Sequence, residues 1–358
     1  MYIATVGRAF PPHYADQDTL IAAFRAAWAE RYHNVARIEQ LHRNVLVGGR
    51  HLALPMADYL GLRGFTEAND AFVRVGTDVG AAAVTDALTR AGLTPQDVDA
   101  IWFVSVTGMS APSIDARLVN RLGFRPDIKR TPIFGLGCVA GAAGVARVSD
   151  YLRGFPDHVA ILLSVELCSL TLQKEDLSIP NLIASGLFGD GAACVVLVGE
   201  QRAKAMGLAG SDRPAAPHVV VTRSVFYPDT ESVMGWNIGS DGFKIVLSAE
   251  VPDMVTRHLR GDVDRFLADA GLDYADIATW IAHPGGPKVL EAMESVFPLP
   301  PGALARTWTS LREVGNLSSA SVLMVLRETL AEPPPPGSYG LLIAMGPGFC
   351  SELVLLRW

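Results

Sequence analysis

An internal repeat constrains this chain more than any other feature. Ala91-Gly-Leu-x-x-x-Asp-Val98 recurs as Ala270-Gly-Leu-x-x-x-Asp-Ile277. Each copy closes a long helical pattern, Thr66–Arg90 in the first case and Val251–Ala270 in the second. Each leads into an apolar strand carrying a tryptophan, Ile101-Trp-Phe-Val104 and Trp280-Ile-Ala282. The displacement that carries Asp97 onto Asp276 also carries Cys138 to within one residue of Asn316. Both positions open helical patterns, Ala140–Tyr151 and Asn316–Leu330. Each of these is followed by an apolar strand, Val159–Val165 and Gly340–Ala344, then a glycine turn and a last strand ending at Val198 or Leu356. Agreement over successive elements predicts two copies of one α/β unit. The first half is residues 1–205, carrying Cys138, and the second is residues 206–358, carrying His283 and Asn316. A pseudo-twofold axis brings equivalent helix N-termini together at the centre, so Cys138 and Asn316 are expected to be neighbours.

Cys138 lies in Ile133-Phe-Gly-Leu-Gly-Cys-Val-Ala-Gly-Ala-Ala-Gly-Val-Ala146, an apolar run that ends in a glycine turn and becomes a small-residue helix. A thiol at a helix N-terminus meets free backbone N–H groups and the positive end of the dipole, which favour the thiolate. A buried packing cysteine has the same local appearance. His283 ends its strand just before Pro-Gly-Gly, and strand C-termini near the junction of two halves are where α/β folds place ligands. Cysteine, histidine and asparagine converging at element ends form a nucleophilic constellation. The thiolate, stabilised by the imidazole as an ion pair, attacks a carbonyl, and the histidine and asparagine N–H groups polarise a carbonyl oxygen.

Composition narrows the alternatives. A net charge of −7 argues against nucleic acid as a partner; the one locally basic stretch runs from Arg31 to Arg50. The four cysteines are far apart, with neither a zinc pattern nor a disulfide framework, which fits a reduced, cytoplasmic compartment. The N-terminus turns polar too early for a signal peptide, and no apolar run has the length of a membrane span. Asp18–Ala29 reads as an amphipathic helix and Gly235–Lys244 as a glycine-rich loop.

Four segments carry a resemblance to a known family: Gly-Cys-Val-Ala-Gly-Ala at 137–142, Gly-Leu-Phe-Gly-Asp-Gly-Ala-Ala at 186–193, Trp-Ile-Ala-His-Pro-Gly-Gly-Pro at 280–287 and Gly-Asn-Leu-Ser-Ser-Ala-Ser at 315–321. The chain resembles the type III polyketide synthases, the chalcone/stilbene synthase-like family of the thiolase fold, over essentially its whole length. The segments at 104–108 and 113–118 are closer to bacterial members. The resemblance implies a five-layered αβαβα fold, a homodimer, and acyl-CoA and malonyl-CoA as substrates, with no cofactor and no metal. It also implies that Cys138 takes the starter acyl group, and that His283 and Asn316 hold the malonyl thioester oxygen while CO₂ leaves. Phe188 matches the gatekeeper between tunnel and cavity. Cys168, Thr171 and Ser318 map to cavity-lining positions, Gly346 and Pro347 to the C-terminal Gly-Pro-Gly loop, and Arg37, Arg43 and Arg50 to the region that meets CoA phosphates.

The chain departs from the family pattern at several places. Met345 replaces an aromatic residue before Gly346, and Ala111, with Met109 nearby, stands where plant members place a methionine that crosses the dimer. Phe243 is the candidate second gatekeeper, although Ile245 aligns equally well. Small wall residues such as Ala111 and Ser318 leave room for a fatty acyl starter, so alkylpyrones or alkylresorcinols are the expected products. Two other readings are a β-ketoacyl-carrier-protein synthase III-like enzyme and a non-catalytic partner subunit. The first lacks Pro-Gly-Gly-Pro after the histidine and needs a basic docking patch. Absence of the cysteine, histidine or asparagine would signal the second, and all three are present.

Overall fold

A computed structural model describes residues 1–28, 32, 34–209 and 216–358. Arg31, the end of the first predicted helix at Ala29, and positions 210–215 of the connector lie outside the described residues.

Nine strands form one hydrogen-bonded sheet system. Its strand order reveals the repeat. Outward from the centre, the first half runs Tyr2–Ala9, Asp190–Val198, Val159–Leu167, Ala100–Ser105 and Lys129–Phe134. The second runs His218–Phe226, Cys350–Arg357, Tyr339–Gly346 and Ile277–Ala282. The first two pairings are antiparallel and the third is parallel in both halves. The halves join where Tyr2 pairs with His218 and the Ile3 N–H donates to the Pro217 carbonyl at 3.0 Å. Among the described residues, only the first half carries a fifth strand, at Lys129–Phe134.

The layering follows from which faces are apolar. Val159–Leu167 and Asp190–Val198 are buried along their entire length and read as nearly continuous apolar runs, as strands covered on both faces must. The central layer consists of helices Ala140–Gly154 and Ser321–Ala331. Val145, Val148 and Leu152 share a core with Val322, Leu323 and Leu326, and with the inner faces of both halves of the sheet. Helix Gly64–Ala91 covers the outer face of the first half through Phe72, Val79 and Val84. Helices Arg260–Asp269 and Pro287–Val296 cover the second half through Val263, Phe266 and Leu290. The result is the thiolase-like αβαβα arrangement, with two pseudo-symmetric halves.

Several elements differ from the sequence reading. Residues 235–244 are not a loop but belong to a hairpin, Met234–Gly239 with Gly242–Leu247, because Ser240 and Asp241 make a two-residue turn and Gly239 pairs with Gly242. The predicted helix over 251–270 has a π turn at Val255–Leu259 in its middle. Helices Val35–Asn44 and Ala305–Val314, not expected from the sequence, bury Ile38 and Leu41 in the first and Thr307, Ser310 and Leu311 in the second. Among the described residues, no helix is long and apolar enough to cross a membrane.

Candidate active site

Cys138 sits in the 3₁₀ turn Gly137–Val139, directly before helix Ala140–Gly154. Gly137 has a φ of +55°, and a Cβ there would stand 2.7 Å from Pro347 Cδ. Only glycine lets the cysteine turn and the Gly-Pro-Gly loop meet this closely. Gly346 lies against the Val139 amide, so Gly346 and Pro347 stand beside the turn that carries Cys138. From the other half, Ser318 precedes helix Ser321–Ala331 in the corresponding place. The Cys138 thiol donates to Ser318 Oγ at 3.7 Å.

Asn316 links these groups. Its Oδ1 accepts the Ser318 N–H at 2.8 Å, and its Nδ2 donates to the Gly285 carbonyl at 3.2 Å, two residues beyond His283. The Asn316 side chain also acts on the Cys138 thiol, favouring its ionised form, so the predicted neighbours do lie together. Ser318 has a φ of +47°, a conformation a serine rarely adopts, held here by this contact. His283 is buried at the end of strand Ile277–Ala282. Its N–H donates to the Ile343 carbonyl at 2.9 Å, and neither ring nitrogen has a protein hydrogen-bond partner among the described residues.

Burial decides the protonation states. It pushes the Cys138 thiol up to about 12, a shift that the Ser318 hydrogen bond opposes and the charge of Glu166 reinforces. It pulls the His283 imidazole down to about 3. Burial thus opposes the thiolate that the helix N-terminus favours, and it favours the neutral imidazole.

The sequence reading gave Glu166 no role. It is fully buried and accepts hydrogen bonds from Thr107 Oγ1 at 2.8 Å, the Val106 N–H at 3.1 Å and Ser319 Oγ. Burial raises its carboxyl to about 7. The only trace in the sequence is a carboxylate near the end of an otherwise apolar strand, Val159–Leu167.

The cavity residues divide into two groups. A cavity of about 680 Å³ is lined by Cys168, Thr171, Phe188 and Ile245, with Phe24 and Trp28 from the first helix. Phe243 instead lines a cavity of about 370 Å³ with Thr107 and Gln173, packed among Phe65, Trp236 and Phe134. Of the two aligned candidates for second gatekeeper, Ile245 therefore shares the larger cavity with Phe188. Phe188 is tied to Asn316 by an isolated β-bridge. Met109 and Ala111 lie exposed before helix Ile114–Leu122.

The three arginines do not form a phosphate site together. Arg37 and Arg43 are exposed on helix Val35–Asn44. Arg37 donates to Gln40 at 3.1 Å, and Arg43 pairs with Asp18 and Glu39. Arg50 is corrected outright. It is 2% exposed, and its guanidinium donates to Gln17 Oε1 and to the Ser185 and Gly186 carbonyls. A buried cation whose Nη groups are engaged by the framework is not the exposed phosphate contact expected at a tunnel mouth, although it does line the larger cavity.

Comparison with known proteins agrees with this architecture. The family model for chalcone and stilbene synthases, N-terminal domain, matches residues 1–201, and that for the C-terminal domain matches residues 218–358. The chain is 51% identical to 1,3,6,8-tetrahydroxynaphthalene synthase of Streptomyces peucetius subsp. caesius, over 99% of this chain and 93% of that one. It is 35% identical to a putative chalcone synthase of Bacillus subtilis, over 100% of this chain and 98% of that one. The crystal structure of 1,3,6,8-tetrahydroxynaphthalene synthase from Streptomyces coelicolor superimposes with a TM-score of 0.92 at 30% identity, covering 100% of this chain and 99% of that one. With family models over both halves and relatives matched along their whole length, the chain belongs to the chalcone and stilbene synthase family and is a type III polyketide synthase, an acyl-transferring condensing enzyme.

Proposed function

We propose that this enzyme condenses malonyl-CoA units on Cys138 by decarboxylative Claisen chemistry, to a polyhydroxylated aromatic product of the tetrahydroxynaphthalene kind. The observation that carries the product class is the 51% identity to a tetrahydroxynaphthalene synthase over nearly the whole of both chains. The contact network of Cys138, Ser318 and Asn316 supports the assignment of roles. Cys138 is the nucleophile. Its proton passes to His283 as sulfur attacks the starter thioester, and CoA departs as the thiol. Both ring nitrogens of His283 are without protein partners among the described residues, which leaves one for that proton. The asparagine amide has two N–H donors, of which one is engaged by Gly285, leaving the other for the malonyl thioester oxygen. When the malonyl carboxylate leaves as CO₂, the charge that develops on that oxygen is met by Asn316 and His283. The resulting enolate carbon attacks the Cys138 thioester. A new carbon–carbon bond forms, the thiolate is released, and the lengthened chain remains on CoA. Substrates are CoA thioesters, with no further cofactor, and the enzyme works in the cytoplasm as a homodimer.

A second reading has a fatty acyl starter and alkylpyrone or alkylresorcinol products. The apolar lining of the larger cavity by Leu20, Phe24, Trp28, Met56 and Leu60 favours it. Incubation of the purified enzyme with labelled malonyl-CoA, with and without long-chain acyl-CoA, tests both. A polyhydroxynaphthalene from malonyl-CoA alone supports the first reading. Product formed only with the long-chain starter overturns it in favour of the second. Neither CO₂ nor product in either mixture overturns both.

A further inference from the structure

Helix Ile179–Leu187 carries Phe188 at its C-terminal end, and the fate of its last carbonyls suggests a role for Arg50. A helix leaves its final four carbonyls without intrahelical partners, and inside a protein each needs a donor. Here every one has a donor. The Ala184 carbonyl accepts the Phe188 N–H at 3.0 Å. The Ser185 carbonyl accepts Arg50 Nη2. The Gly186 carbonyl accepts Arg50 Nη1 and, at 3.2 Å, Gln17 Nε2. The Leu187 carbonyl accepts the main-chain N–H of Asn316 at 2.9 Å, and the Gly189 N–H returns to the Asn316 carbonyl at 3.0 Å. One buried cation therefore holds the two middle carbonyls of a helix end whose last carbonyl holds Asn316.

The junction is tight. Gly315 has a φ of +75°, and a Cβ there would lie 2.7 Å from the Leu187 carbonyl oxygen. The Asn316 backbone therefore has little room to shift unless the helix end moves with it. The charge on Arg50 suits a helix C-terminus, where the dipole is negative. The field of Asp190 helps to keep it, and Asp190 is itself fixed by the Ser169 and Ala53 amides. A planar fork reaches two adjacent carbonyls at once, which the single ammonium of lysine does not do from the same position.

We propose that Arg50 is a positioning residue for Asn316 and Phe188: by closing the C-terminus of helix Ile179–Leu187 it sets the decarboxylation geometry, while Cys138, carried by a different helix, keeps its own reactivity. The proposal rests on the reading that Asn316 serves malonyl decarboxylation.

The test uses the full-length enzyme with two readouts, CO₂ release from carboxyl-labelled malonyl-CoA and the rate of Cys138 alkylation by iodoacetamide. Arg50→Lys is expected to lower CO₂ release by about tenfold or more, with Cys138 alkylation within about twofold of the parent and a cooperative thermal melt retained. A residue that acts through Asn316 should also lose its effect when Asn316 is gone. In an Asn316→Ala background, Arg50→Lys is expected to reduce the residual CO₂ release by less than about twofold. A full tenfold loss in that background, or a parallel fall in alkylation, would overturn the proposal. If Asn316→Ala alone leaves CO₂ release intact, the decarboxylation role of Asn316 fails, and the positioning role falls with it. Should Arg50→Lys not fold, Gln17→Met removes only the second donor to the Gly186 carbonyl. It is expected to give the same split at smaller size, and equal losses in both readouts would again overturn the proposal.

Discussion

At the scale of single residues, the site is governed by burial, and the sequence conceals burial well. Cys138, His283 and Asn316 were legible because each stands at an element end inside a distinctive motif, and because the repeat predicted that Cys138 and Asn316 meet. Glu166 was not legible, since a lone carboxylate in an apolar strand carries no motif and its four donors come from residues 105–107 and 319. Its charge opposes ionisation of Cys138, so Glu166→Gln is expected to raise the rate of iodoacetamide alkylation at pH 8 by about threefold or more. The same substitution alters the pH dependence of stability. The Glu166 carboxyl is raised from 4.5 to about 7 in the folded state. It therefore contributes stability that is fully present below pH 4.5 and lost as the pH rises through about 7. Relative to the parent, the melting temperature of Glu166→Gln should climb between pH 5 and pH 8, and a constant difference would contradict the assignment. Asn316→Ala, which removes one oxyanion donor, is expected to slow CO₂ release by about a hundredfold.

At the scale of elements, the strands and central helices could be read because their apolar patterns are strong. Helix Ala305–Val314 could not, because two of the three residues buried along it, Thr307 and Ser310, are polar and only Leu311 is apolar. The hairpin over 234–247 was obscured by its glycines, which suggest a loop until the two-residue turn is paired with its flanks. Arg50 shows a further limit. Its alignment with the region that meets CoA phosphates suggested a surface contact, yet the fold turns it inward to close a helix. The junction it supports is also sensitive at Gly315. Gly315→Ala combines a left-handed backbone with a clash against the Leu187 carbonyl, and is expected to cost about 2 kcal/mol in urea unfolding, with reduced CO₂ release.

At the scale of the whole molecule, two halves with one topology divide the chemistry unequally. In the proposed reaction the first half provides the thiol, and the second provides the imidazole and the amide. Cys138 meets Ser318 where the starts of the central helices Ala140–Gly154 and Ser321–Ala331 bring the halves together. The repeat in the sequence predicts the meeting of Cys138 and Asn316. The cavities were not legible there, because a volume sums many side chains from helices that meet only in the fold. Since both halves share the central core, a truncation there should weaken the molecule as one unit. Leu323→Ala, at a fully buried position, is expected to cost about 2–5 kcal/mol and to leave a single unfolding transition; two separate transitions would contradict a shared core. The central claim is that Cys138 carries the acyl group during condensation. Incubation of the enzyme with labelled malonyl-CoA, followed by rapid acid quench, proteolysis and mass spectrometry, tests it most directly. An acyl adduct is expected on the peptide containing Cys138, absent in Cys138→Ala together with all polyketide product. An adduct on another residue, or product formation by Cys138→Ala, would contradict it.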